Sequence, residues 1–178
     1  MPDKEGEERE RIRDRLYDLG HCKECSVLSG CYFVKYKLPK KNAEGKGLLH
    51  PNCDCKLINI NKPTNQVIAD CNIKKFTDYI FGEEYVNNGK MELFNRLGFN
   101  KEDSEYLKQE FDRQARECYL NGDYVLGVLN EHGQRINITI KLKSNTRENI
   151  DLVTGWMIRP LEKITCNTPL GGRYEKMG

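Results

Sequence analysis

The side chains with the most definite chemistry lie in one stretch, His21 to Lys56, which reads HCKECSVLSGCYFVKYKLPKKNAEGKGLLHPNCDCK. Cys22 and Cys25 form a C-x-x-C pair, and His50, Cys53 and Cys55 form an H-x-x-C-x-C cluster. Two thiolates spaced this way can face one ion while the amides between them turn toward the sulfurs. His50 and Cys53 share the two-residue gap, so the second cluster can close a tetrahedral Zn²⁺ site. There are five ligands for four places, which leaves either His50 or Cys55 as the spare. With no obvious vacant position, the expected zinc is structural rather than catalytic. The run after Met1, PDKEGEERERIRDR, contains no apolar signal segment. Reducing surroundings are therefore expected, and these favour thiolate plus metal over a disulfide. Redox catalysis by C-x-x-C expects a strand before it and a helix after it, whereas here a charged helix precedes and a Ser-Gly turn follows. Cys71, Cys118 and Cys166 are scattered singly and read as buried thiols.

A second set of candidates lies later in the chain. Lys90 follows Gly89 at the start of a predicted helix, where a lysine beside freed backbone amides suits an anion such as phosphate. The loop is no Walker A motif, because Gly82 is too far from Gly89-Lys90 and Met91 stands where Ser or Thr is needed. The polar face of a predicted sheet gathers Arg135, Thr139, Thr154 and Thr168. Taken alone, Arg135 and Lys141 would be a solvated sheet face. His132, outside the metal stretch, sits at a predicted hairpin tip, where an imidazole can move protons near neutral pH. No acidic trio marks a Mg²⁺ nuclease.

The elements that must position these residues follow from periodicity. Residues 4–19 form a helix dense in Glu and Arg, ended by Gly20. Tyr32 to Leu38 and Leu57 to Ile60 are candidate strands beside the metal site. Asn61 to Asn65, NKPTN, is the best linker signal. The expected organisation is a helix and zinc knuckle in 1–60, a linker in 61–72 and an α+β domain in 73–178. Lys74 to Phe81 and Lys90 to Leu97 are predicted helices. Asn100, with Asp103 three residues on, caps a third helix whose inner face is Leu107, Phe111, Ala115 and Cys118. After Gly122 the period switches to two. Tyr124–Leu129, Gln134–Leu142, Leu152–Arg159 and Lys163–Thr168 are predicted strands of an antiparallel meander, with Trp156 in the core.

Composition bounds the function. Of 178 residues, 38% are hydrophobic and 31% charged, with a mean hydropathy of −0.74. Cores of this kind are thin and gain from a metal staple. A formal net charge of +2 excludes a histone-like binder. No run approaches the roughly 20 apolar residues of a membrane span.

Two resemblances add to this. Cys22, Cys25, Gly30 and the run His50-Pro51-Asn52-Cys53-Asp54-Cys55 resemble the C-terminal end of phage Mu-type and SPP1-type minor head (head-morphogenesis) proteins, in which Arg usually stands at the position of Asp54. Lys75 to Gly172 resembles a small domain at the ends of bacterial polymorphic toxins, of the BECR (barnase, EndoU, colicin, RelE) ribonuclease-like group. The residues concerned are Lys75-Phe76-Thr77-Asp78-Tyr79, Gly89-Lys90, Leu97-Gly98-Phe99, Gly155-Trp156-Met157-Ile158 and Thr168-Pro169. The two together imply a phage- or prophage-encoded chain whose C-terminal domain is a metal-independent ribonuclease toxin. Lys75, Lys90 and Arg135 would bind and neutralise phosphate, Lys141 would add to substrate binding, and His132 and Thr168 would handle protons or orient substrate. RNA and an immunity protein would be the partners, in the cytoplasm of a bacterial host. The alternative is a non-enzymatic virion component that binds phage head or portal proteins. A third reading, a nucleic-acid-binding zinc module, rests only on the basic run Lys35 to Lys41.

Overall fold

The structure, a computed structural model, describes residues 27–28, 30–33, 37–38, 40–41, 46–47, 67–82, 89–130, 132–143, 149–160, 162–170 and 175–176. The predicted helix at 4–19, all five candidate zinc ligands and the Leu57–Ile60 strand lie outside these residues. Two short strands, β1 (Lys40–Lys41) and β2 (Lys46–Gly47), pair antiparallel. The main sheet contains β3 (Ile68–Asp70), β4 (Val125–Asn130), β5 (Gly133–Lys143), β6 (Asn149–Arg159) and β7 (Lys163–Thr168), in the order β3-β7-β6-β5-β4. A further strand, β8 (Glu175–Lys176), pairs with β6.

The chain is α+β, as its period switch implies, but the sheet is mixed rather than antiparallel throughout. β3 runs parallel to β7, with Ile68 opposite Lys163 and Asp70 opposite Thr165. This strand comes from the stretch expected to be linker, and Val67 and Cys71 flanking it are buried in the main core. The reason is local brevity: three residues carry too little alternation to register as a strand until β7 offers its edge.

One face of the sheet is covered by helices. Lys75–Ile80 forms a wide π-helical turn, burying Phe76 and Ile80. Helix α1 (Lys90–Arg96) buries Leu93 and Phe94. The capping box is present: Asn100 accepts from the Glu102 amide at 2.7 Å while Asp103 accepts from the Asn100 amide at 2.8 Å. It starts a 3₁₀ turn (Lys101–Asp103) that leads into α2 (Ser104–Asn121), whose buried stripe is Leu107, Phe111, Ala115 and Tyr119. Edge-to-face contacts of Phe76 with Phe111 (ring centroids 5.1 Å apart) and Phe94 (6.5 Å) join the three helical segments. Against them β5 turns Ile136, Ile138, Ile140 and Leu142, and β6 turns Leu152, Thr154, Trp156 and Ile158. Thr154, expected on the polar face, is therefore on the covered one. Its hydroxyl donates to the Ile138 carbonyl at 2.7 Å and accepts from the Trp156 indole N–H at 2.7 Å, so both buried polar groups are satisfied. Where β4 no longer covers β5, the Gln114 side chain donates to the Lys141 carbonyl and accepts from its amide, replacing the missing strand.

Residues between the two halves of the candidate knuckle pack on this domain. Val27 and Leu28 bury against Leu129. Tyr32 donates its hydroxyl to Glu162 at 2.6 Å, and its carbonyl accepts from Tyr119. The Lys37 ammonium donates to the carbonyls of Gly122 and Tyr124 at the C-terminal end of α2, where the helix dipole favours a cation. Tyr32, Phe33, Lys37 and Leu38 are not in a strand. Among the described residues no helix is long and apolar enough to cross a membrane.

Candidate functional site

Among the described residues the other face of the sheet carries no helix, and alternation along β5 turns Arg135, Asn137, Thr139 and Lys141 toward it. Two glycines shape this face around Arg135. A methyl group at Gly127 of β4 would lie 3.3 Å from Arg135 Cβ, and one at Gly155 of β6 would lie 3.2 Å from its Nη2 and 3.7 Å from its Nε. The arginine therefore lies flat across the sheet, its stem over one glycine and its guanidinium over the other. The same Gly155 position is 3.6 Å from Thr168 Cβ, so Arg135 and Thr168 flank one glycine. A side chain at Gly155 would press on the guanidinium, which would have to give by a few tenths of an ångström.

A bulge completes the arrangement. Gly155 pairs with Thr168, but Trp156 pairs with Cys166, which leaves Asn167 as the extra residue of β7. Its carbonyl accepts from Lys75 Nζ at 2.8 Å. An ammonium from the π-helical turn is thereby fixed next to Thr168. One turn further, on the same side of that segment, Tyr79 accepts a hydrogen bond from Lys90, whose ammonium lies 4.3 Å from the Tyr79 ring centroid. Arg135 and Thr168 thus share the Gly155 row, Lys75 is tied to the backbone of the neighbouring Asn167, and Lys90 is joined to Tyr79. Helix α1 has only 7 residues, and the partner of its first lysine is a phenol. The set can do two things chemically: hold an oxyanion with a planar fork, an ammonium and a hydroxyl, and exchange a proton through a tyrosine.

The other two predicted residues lie apart. His132 is exposed in the turn before β5, its carbonyl accepting from Arg159 and its amide donating to Asn130 at 2.9 Å. It is five residues along β5 from the Gly155 row, roughly 17 Å at about 3.4 Å per residue, beyond the reach of an imidazole. Lys141 lies four residues the other way, roughly 14 Å off, opposite Asp151. Among the described residues no three His, Cys, Asp or Glu side chains gather as a metal site.

Residues 62–166 match the family described as Domain of unknown function (DUF6883). The chain belongs to that family. No curated protein and no solved structure matches it. Within the DUF6883 segment lie Lys75, Lys90, His132, Arg135 and Lys141, together with both glycines of the slot. Thr168 falls just past its end, and the five candidate zinc ligands precede it.

Sequence reasoning missed Gly127, Gly155 and Tyr79. A glycine inside a strand pattern signals close backbone approach, so Gly155 was open to detection. Tyr79 was not, because it read as part of an apolar helix face.

Proposed function

We propose that this is a phage- or prophage-encoded protein whose DUF6883 domain cleaves RNA without a catalytic metal. The observation that supports this most is the Arg135 guanidinium laid over Gly155, whose partner in the sheet is Thr168, with the Lys75 ammonium held on the carbonyl of the adjoining Asn167. A planar fork matches two non-bridging oxygens of a phosphodiester, and Arg135 with Lys75 would stabilise the charge that builds on them in a pentavalent phosphorane. Thr168 donates a further hydrogen bond. The substrate's own 2′-hydroxyl attacks phosphorus and the 5′ oxygen leaves, giving a 2′,3′-cyclic phosphate and a 5′-hydroxyl end. We assign proton exchange to Tyr79, held by Lys90, in place of His132. In the same reading Cys22, Cys25, His50, Cys53 and Cys55 supply the ligands of one structural Zn²⁺, to which thiolate and imidazole donors are suited. The protein acts in the cytoplasm of a bacterial host, and an immunity protein is its natural counterpart.

A second reading is favoured by Val125 and Val128, each 65% exposed on edge strand β4. In it the domain binds another phage head or portal protein and cleaves nothing. The test is induction of the full chain in a bacterial host, since Val27, Leu28, Tyr32 and Lys37 pack on the domain. Growth arrest with discrete RNA fragments ending in cyclic phosphate, abolished by Arg135→Ala, supports the first reading. Healthy growth and intact RNA with a folded product supports the second. Zinc content near one per chain, lost on Cys22→Ser with Cys53→Ser, is the expected result for the metal.

A further inference from the structure

Two thiols that the sequence scatters meet in the folded chain. β3 and β7 run parallel with Asp70 opposite Thr165, so the next residues in register are Cys71 and Cys166. Cys71 is fully buried and Cys166 is 6% exposed, both in the main core. Their thiols are close enough to act on each other's ionisation, and both cysteines are free. Neighbouring strands lie about 4.8 Å apart, within the Cα separations of about 4.4–6.8 Å that a disulfide spans.

We infer that Cys71 and Cys166 are a dithiol–disulfide couple that locks edge strand β3 onto β7 when oxidised by a low-molecular-weight disulfide. The thiolate of one cysteine attacks a sulfur of the small disulfide, releasing one small thiol and forming a mixed disulfide. The second cysteine attacks the protein sulfur of that intermediate and releases the other small thiol. The two protein sulfurs lose two electrons and two protons, and the small disulfide gains both.

The surroundings set how fast this happens. The neighbouring Cys166 thiol and then burial push the Cys71 thiol above its ordinary value, with the Asp112 carboxylate acting in the same direction and Lys75 against it. Thiols held protonated and shielded react slowly. Access comes from the edge: β3 has three residues and, among the described residues, pairs in the main sheet only with β7, so the thiols are reached when this strand opens against the hydrogen bonds of the Cys71 amide to Asp112 and of Arg116 to the Val67 carbonyl. Reaction therefore follows opening of β3, and the couple responds to sustained oxidising conditions rather than to a brief pulse. Cys166 directly precedes Asn167, whose carbonyl holds Lys75, so the lock also fixes one wall of the open-face site. The inference does not rest on the RNA reading.

The experiment incubates the full chain with oxidised glutathione, blocks remaining thiols with iodoacetamide under denaturing conditions, and maps the peptides. The expected result is a peptide pair joined through residues 71 and 166. With it the melting temperature should rise by about 5 °C or more, a gain reversed by dithiothreitol and absent in Cys71→Ser and Cys166→Ser. Alkylation of both residues after oxidation would overturn the inference. So would their recovery as glutathione adducts, or linked to Cys22, Cys25, Cys53 or Cys55. The peptide map of the unsubstituted chain decides the matter even where a serine variant fails to fold.

Discussion

The two faces of the sheet are made by the same strands and obey different rules. On the covered face Ile136, Ile138, Ile140 and Trp156 are fully or almost fully buried against helices, and even the polar Thr154 is spent on satisfying an indole. On the open face the side chains of Arg135, Thr139 and Lys141 are exposed, and glycines stand where side chains would otherwise crowd Arg135. The covered face is shaped to exclude water, so its content follows from size and hydrophobicity. The open face is shaped to hold one cation flat, a demand that packing does not make. This contrast separates the face that stabilises the domain from the face that carries the proposed site.

Substitutions on the two faces should therefore move different observables. Trp156→Ala should have the largest effect on stability, about 3–5 kcal/mol in a urea melt. A loss below about 1 kcal/mol would mean that the covered face is not the core it looks to be. Arg135→Ala should lower RNA cleavage by about 100-fold or more while shifting stability by no more than about 0.5 kcal/mol. A matching loss of stability would erase the distinction between the faces. Gly155→Ala sharpens it further. Its methyl would come within 3.2 Å of Arg135 Nη2 and push the guanidinium off by a few tenths of an ångström, so cleavage should fall by no more than about tenfold, equivalent to about 1.4 kcal/mol. Added to Arg135→Ala it should change nothing more, because both act through one side chain. A further drop in the double variant would give Gly155 a role of its own.

The smallest effect belongs to the outer surface of α2. Arg113 donates hydrogen bonds to Glu110 and holds its carboxyl below the usual carboxylate range, with burial opposing and Gln114 assisting. A folded value below the unfolded one, about 4.3, means stability that is present at neutral pH and lost as pH falls through the folded value. Glu110→Gln should thus cost about 0.5 kcal/mol or less at pH 7, and its melting temperature should converge on that of the unsubstituted chain as the medium is acidified.

Much of the covered face was legible in advance. The alternation of Ile136, Ile138, Ile140 and Leu142, the Asn100–Asp103 box and the stripe of Leu107, Phe111 and Ala115 are patterns of period two and 3.6, which need only neighbours in sequence. The site was legible in part. Arg135, Lys75 and Thr168 stood out by residue type, but nothing local tells that a bulge at Asn167 turns a carbonyl toward Lys75. His132 stands five residues along the chain from Asn137, the partner of Gly155, and residue type carries no information about row. Thr154 was misassigned because a threonine reads as polar until an indole is found beside it.

The sequence by itself determined the α+β class, the order of helices before strands and which side of β5 is oily, since these depend on interactions within one turn or one strand. Only the tertiary structure decided that Ile68–Asp70 joins the sheet in parallel, that Arg135 lies between two glycines, and that Cys71 meets Cys166. Each of these is a choice of register between segments far apart in the chain. Register is set by how whole surfaces pack, which no single stretch of residues encodes.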